Sequence, residues 1–224
     1  MIDHPHDRVR RYFTEGGLEM DDDPAMTRAV DVLKSYYSPG LLYTGSAFDQ
    51  LIAASPADRF VADDIVAVSM LSVNVPPRAA RRLLSGDANS LLQAIPMGAS
   101  IWTSPELLNP DGGAWALWDF LRSLKGVGPV TTSKLLAAKR PNLVPVFDQY
   151  VSKGLQTGPS FWRFWQDVAR ATADEGKQSL ASLIHAARDR AGVPAYVSDL
   201  RVVDAVVWMV EHGAAAVARD EEAP

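Results

Sequence analysis

The stretch that decides the fold is Leu124-Lys-Gly-Val-Gly-Pro-Val-Thr131. Two glycines separated by one residue are typical of a tight turn, because glycine tolerates positive φ angles and the close approach of other backbone. Proline at position 129 favours the first turn of a helix. The stretch therefore predicts a hairpin that joins two helices, and we expect Val127 to pack into the core and fix the turn.

The same hairpin is a candidate site for an anion. The first amides of the helix that begins at Pro129 lack acceptors within the helix, and together with the helix dipole they attract phosphate. A turn of this kind also joins core helices that bind nothing, and this alternative stays open on these residues alone.

A single carboxylate, Asp148, follows the apolar run Leu143-Val-Pro-Val-Phe147. An aspartate directly before a helical segment is a good N-cap, because its side chain accepts a hydrogen bond from a free amide of the first turn. A carboxylate close to a phosphate-binding hairpin is also suited to chemistry on a substrate. The two roles are compatible, since a capping carboxylate can face a pocket.

Helical patterns dominate the rest of the chain, so the predicted fold class is all-α, with short strands near Val61 or Val202 as the alternative. We expect the helix near residues 61–71 to be central, because its sequence is apolar nearly all round. The other predicted helices span residues 23–37, 78–84, 115–124, 129–139, 149–155, 160–173, 178–191 and 198–211.

The predicted domain organisation is one helical domain over residues 23–215, built as a single unit or as two lobes that share helices, with the hairpin at 115–139. The acidic segment 1–22 and the tail 216–224 are expected to be flexible. The absence of cysteine excludes disulfides, thiolate metal sites and a cysteine nucleophile. The four histidines are scattered, so we expect neither a metal site nor a cofactor.

Location and partners follow from composition and charge. The first residues are polar and no apolar run approaches the roughly 20 residues needed to cross a bilayer, so we expect a cytoplasmic protein without a membrane partner. The formal net charge of −5 argues against a nonspecific coat for nucleic acid. Basic residues nevertheless form two clusters. One is the helix of Arg78, Arg81 and Arg82, and the other surrounds the hairpin and consists of Arg122, Lys125, Lys134, Lys139, Arg140 and Lys153. These clusters indicate either a DNA-binding face or ordinary solvated helix faces.

The hairpin and the acid that follows it resemble the helix–hairpin–helix (HhH-GPD) superfamily of base-excision DNA glycosylases. That superfamily carries L-P-G-V-G-x-x-T-A, an apolar helix, and then P-x-x-D-x-x-V. The matching residues here are Leu124–Thr131, Leu135, Val144-Pro-Val-Phe-Asp148 and Val151, and the spacing from Gly126 to Asp148 also agrees. Within the hairpin Lys125 departs from the pattern, because it replaces the usual proline. The resemblance covers about residues 121–153, and the whole chain also resembles an uncharacterised family of high-GC bacteria, which implies no function.

The resemblance implies a fold, a partner and a set of roles. It implies a glycosylase-like fold in which hairpin amides bind DNA phosphates and a nucleotide turns out into a pocket. Asp148 would then support loss of the base, either by activating water or by stabilising the charge that develops on the sugar. The implied DNA-binding residues are Lys125, Gly126, Val127, Gly128, Val130, Thr131, Lys134, Arg78, Arg81 and Arg82. The candidates for the base pocket are Asn74 and Tyr150.

One departure from the superfamily pattern predicts a monofunctional enzyme. Bifunctional members carry a nucleophilic lysine at the position of Val130, and Lys134, one turn further on, would have to reach back. Two rival functions remain. One is a noncatalytic module that binds nucleic acid or protein on the same scaffold, and the other is a helical enzyme for free nucleosides or nucleotides.

Overall fold

The computed structural model describes residues 4–16, 19–40, 43–173 and 179–221. Within these ranges the secondary structure is entirely helical, which confirms the all-α class, and no strand forms at Val61 or Val202. The helices are α1 (Pro5–Arg10), α2 (Pro24–Tyr36), α3 (Gly45–Ala53), α4 (Ala62–Met70), α5 (Pro77–Leu84), α6 (Asn89–Gln93), α7 (Gly113–Ser123), α8 (Pro129–Lys139), α9 (Gln149–Leu155), α10 (Phe161–Ala173), α11 (Leu180–Ala191) and α12 (Asp199–Glu221), with a 3₁₀ helix at Pro105–Leu108. No helix of the described residues is both long and apolar enough to cross a membrane.

The central helix is α8, in which every residue from Thr131 to Lys139 is buried. It packs against α3, α4 and α7. Small side chains such as Ser133 and Ala137 let neighbouring helices approach closely. The prediction that the helix near residues 61–71 is central is therefore wrong, because α4 leaves Val66 46% exposed.

The N-terminal segment is part of the core. Buried apolar side chains form one cluster that runs from Val9 to Val207. Helix α1 packs on α9 and α10, and both Val9 and Phe13 are fully buried. The prediction of a flexible segment 1–22 is wrong for residues 4–16, while 1–3 and 17–18 lie outside the described residues. At the other end α12 continues to Glu221, so the expected flexible tail is helical up to that residue, and 222–224 lie outside the described residues.

The hairpin between α7 and α8 has the geometry that its glycines predict. Gly126 has a φ of +85°, and a Cβ atom there would lie 2.9 Å from Cγ of Pro76. Val127 is buried, and its N–H donates to the carbonyl of Leu124 at 3.0 Å. The guanidinium of Arg122 donates to the carbonyl of Val127 at 2.6 Å. The prediction that Val127 fixes the turn is confirmed, and the Pro76 contact sets the start of α5 beside the hairpin.

Candidate active site

The segment that carries Asp148 is held against α8 by one buried serine. Ser133 Oγ donates to the carbonyl of Pro145 at 3.0 Å and accepts the N–H of Phe147 at 2.9 Å. The next residue, Asp148, is the N-cap of α9, because its Oδ1 accepts the N–H of Tyr150 at 2.8 Å. The predicted cap is present, and the serine fixes where its carboxylate lies relative to the hairpin helix.

Asp148 also faces a cavity of about 510 Å³. Val130 from the first turn of α8 and Lys134 from its second turn line the same cavity. The start of the hairpin helix and the carboxylate therefore meet at one concave site. Asp148 both caps α9 and lines the cavity, because one carboxylate oxygen accepts the N–H of Tyr150 and the residue is only half-buried.

Aromatic rings form much of the cavity wall. Tyr43 stacks on Tyr36 with ring centroids 5.6 Å apart, and Trp208 stands edge-on to Tyr43 at 6.0 Å. Trp208 stacks on His212 at 4.4 Å, and Tyr150 meets His212 edge-on at 5.2 Å. Flat apolar walls with a few polar groups are suited to a planar ligand.

The second carboxylate of the cavity, Asp204, was missed by sequence reasoning. It lies on α12, is only 7% exposed, and accepts a hydrogen bond at Oδ2 from Arg201. Within the described residues its Oδ1 has no hydrogen-bond partner. Burial raises the pKa of Asp204 to about 7, against the lowering effect of Arg201. A sequence signal existed, since Arg201 and Asp204 interrupt the apolar stripe of Val202, Val203, Val206 and Val207.

Arg201 fixes the position of Asp204. Its guanidinium donates from Nε to Asp49 Oδ1 at 3.1 Å and from Nη2 to the Tyr36 hydroxyl at 3.1 Å and the Gly45 carbonyl at 3.3 Å. These bonds join α12 to α2 and α3 beneath the cavity. The buried aspartates on either side hold the pKa of Arg201 well above its usual range, although burial opposes them.

Lys134 lies inside the cavity rather than on a DNA-facing surface. Its Nζ donates to the carbonyl of Leu71 at 2.6 Å, and the residue is buried. Burial lowers the pKa of Lys134, while Asp148 and Asp204 act to raise it. The prediction that Lys134 helps to bind the DNA backbone is wrong, because helix α8 is buried along this whole face.

The basic surface around the hairpin is smaller than the sequence indicates. Lys125, Arg78 and Arg81 are exposed. Arg82 is exposed too, but it pairs with Asp87 at 2.7 Å and lies over the ring of Phe120. Lys139 and Arg140 are buried, and they bond to Asp64 and to backbone carbonyls respectively. Two cations counted in the basic cluster thus belong to the core.

Two of the predicted hairpin contacts and one predicted pocket residue need correction. The side chains of Val127 and Thr131 are buried, and the Val127 amide is already bonded to Leu124, so of these two residues only Thr131 can offer a ligand a contact, through its backbone amide. Asn74 is exposed and does not line the cavity. Ser72 has a φ of 60°, and beyond this turn Val73 lines the cavity while Asn74 lies outside. Tyr150 does line the cavity, as predicted for a pocket residue.

A protein-family model matches residues 29–211, which contain the hairpin, Asp148 and Asp204. The chain belongs to the DUF6308 family. This is a family of unknown function. No match was found among curated proteins or among solved structures.

Proposed function

We propose that this DUF6308 protein binds DNA and hydrolyses the N-glycosidic bond of a nucleotide that is turned out into the cavity. One observation carries the proposal: Asp148 and the first turn of the hairpin helix line the same cavity. A phosphate held at that helix start would bring the attached sugar close to the carboxylate. The hairpin alone, or Asp148 alone, would not indicate an enzyme. Their position in the same cavity is what supports a reaction on DNA.

The phosphate would bind to backbone amides of the hairpin. Among the described residues, no hydrogen-bond acceptor is present for the amides of Gly128, Val130 and Thr131. A Cβ atom built at Gly128 would meet nothing within 4 Å, so the backbone is open there. Amides and helix dipole together favour an anion at this point. Exposed Lys125 adds a positive charge beside it.

The base would enter between aromatic rings. A flipped base is held by stacking against aromatic or apolar side chains, and Tyr43, Tyr150 and Trp208 supply such surfaces here. The cavity volume of about 510 Å³ lies within the range of small-molecule sites. Asp148 at the wall would stabilise the positive charge that develops on the sugar, or activate the water that replaces the base.

A lyase step is the second candidate, and the position of Lys134 favours it. The amine lines the same cavity, and burial lowers its pKa, which is how enzymes activate lysine nucleophiles. The hydrogen bond from Nζ to Leu71 would have to break before attack on the sugar. Because the first-turn position is Val130, we propose hydrolysis without strand cleavage as the main activity.

The test is release of bases from duplexes that carry a panel of damaged and modified nucleotides, with abasic sites as the readout. Abasic sites without strand cleavage are expected for at least one duplex. Covalent trapping by borohydride, lost in Lys134→Met, would replace hydrolysis by the lyase reaction. Binding to DNA without base release from any duplex would support the noncatalytic module, and cleavage of free nucleosides alone would support the small-molecule enzyme.

A further inference from the structure

One carboxylate oxygen of Asp204 takes no part in the proposed reaction. Its Oδ1 is buried and has no partner among the described residues, and Asp204 itself lines the cavity. A buried acceptor without a partner is costly, and nearly all such groups in proteins are satisfied. An unsatisfied acceptor on a residue that lines a cavity therefore indicates a ligand that donates to it.

The direction of this acceptor is fixed by the protein. Oδ2 of Asp204 is bonded to Arg201, and Arg201 is held in turn by Asp49, Tyr36 and Gly45. The carboxylate cannot rotate without breaking that network. The carboxylate thus keeps one position at the cavity wall before any ligand arrives, and such preorganisation favours recognition.

The surroundings define the chemistry of the donor. Rings of Tyr36, Tyr43 and Trp208 favour a planar ligand, so the acceptor would meet that ligand at its edge. Two cations, Arg201 and Lys134, face the three carboxylates Asp49, Asp148 and Asp204 in this part of the molecule. An excess of carboxylates favours an edge that donates hydrogen bonds over one that presents carbonyl oxygens.

We propose that Asp204 is the specificity-determining residue of the cavity and selects a planar nitrogen heterocycle that bears an amino group. When Asp204 is ionised, its Oδ1 accepts an N–H of that amino group. A carbonyl oxygen at the same position would instead face a carboxylate oxygen, so the keto analogue is rejected. As a statement about bases in DNA this rests on the proposed function, but the binding preference itself requires neither DNA nor bond cleavage.

Substitution of Asp204 by asparagine tests the direction of the hydrogen bond. In Asp204→Asn the amide oxygen would take the place of Oδ2 and accept from Arg201. The amide nitrogen would then take the place of Oδ1 and act as a donor. The variant should therefore prefer the keto ligand, which is an inversion that a purely structural role of Asp204 would not produce.

The experiment is calorimetric titration at about pH 8, where Asp204 is mostly ionised. The full chain is titrated with free adenine, hypoxanthine, cytosine and uracil, for the unmodified protein and for Asp204→Asn. We expect at least one amino base to bind the unmodified protein about tenfold more tightly than its keto analogue. The preference should be reversed in Asp204→Asn, with circular dichroism as the check on folding. If that variant fails to fold, the ratio in the unmodified protein still decides the matter.

Equal affinity for amino and keto bases, an unchanged preference in Asp204→Asn, or no binding of any of the four at the limit of their solubility would overturn the inference. The outcome is separate from that of the proposed function. An amino preference without base release from any duplex leaves the assignment of Asp204 intact and removes the glycosylase. Base release without an amino preference does the reverse.

Discussion

Helix α8 carries two buried lysines, Lys134 and Lys139, that lie in opposite situations. The ammonium of Lys139 pairs with Asp64 at 2.5 Å and donates to Ser55 Oγ at 2.8 Å and to the Pro56 carbonyl at 2.9 Å. Among the described residues Lys134 makes one side-chain hydrogen bond, to the carbonyl of Leu71, and it lines the cavity. The ammonium in the last turn of the helix thus has all of its hydrogen bonds satisfied, whereas the ammonium in the middle of the helix is only partly satisfied.

The carboxylates show the same contrast. Asp64 accepts from Lys139, from the Ser55 hydroxyl and from the Val61 amide, and it is fully buried. Asp204 keeps one oxygen without a partner among the described residues. Charged groups whose hydrogen bonds are all made within the protein are typical of structural networks. Charged groups at a cavity that lack some of these bonds are typical of a binding site. Both regions are buried, so the completeness of the hydrogen bonds is what distinguishes the Lys139–Asp64 pair from the cavity with Lys134 and Asp204.

The largest expected effect is the loss of stability in Lys139→Met. The substitution leaves Asp64 buried and unpaired, which should lower the free energy of unfolding by about 3–5 kcal/mol. The matched change Lys134→Met removes one hydrogen bond to a carbonyl, so a loss of about 1 kcal/mol or less is expected. Urea denaturation of both variants measures the difference. Equal losses would mean that the two lysines are structurally alike.

The next effect concerns pH. The pKa of Asp204 is raised to about 7 in the folded chain, so between about pH 4 and pH 7 the folded state holds a proton that the unfolded state releases. The free energy of unfolding should therefore fall as the pH rises through this window, by a few kcal/mol in total. Asp204→Asn should remove this slope. A slope that is the same in both proteins would show that Asp204 does not titrate as described.

A smaller effect is expected in the hairpin, where the comparison extends to two glycines. Gly126→Ala places a side chain at a positive φ and against Pro76, and we expect a loss of about 1–3 kcal/mol. Gly128 has a φ of −85° and open space around it, so Gly128→Ala should change stability by about 0.5 kcal/mol or less. Thermal unfolding of the two variants distinguishes them. Similar melting temperatures would contradict a rigid hairpin set by Gly126.

The smallest effect tests the surface cations. Arg78 has no ion-pair partner among the described residues, whereas Arg82 is paired with Asp87. If the helix contacts phosphate, Arg78→Ala should reduce the slope of log affinity against log salt by about 1, with a smaller change for Arg82→Ala. Fluorescence anisotropy with a labelled duplex at several salt concentrations gives both slopes. No change for either variant would remove α5 from the DNA-binding surface.

Local patterns in the sequence predicted the hairpin, most helix boundaries and the cap at Asp148, because turns and caps depend on residues close together in the chain. Long-range packing decided the rest. Arg201 meets Asp49 across 152 positions of sequence, and no local pattern predicts that contact. The sequence likewise gave no sign that three cations of the hairpin cluster would be buried by distant elements, namely Lys134, Lys139 and Arg140. The one local indication of Asp204 was that it and Arg201 are charged residues within the apolar stripe of α12.

The most direct test of the central claim is single-turnover base release by Asp148→Asn, using the best duplex from the panel. Asparagine still caps α9, so folding and DNA binding should persist. The exposed residue Asp119 on α7, which does not line the cavity, provides the control Asp119→Asn. We predict that base release falls at least about 100-fold in Asp148→Asn and stays unchanged in the control. Base release at the normal rate in Asp148→Asn would contradict the account and leave Asp148 as a helix cap.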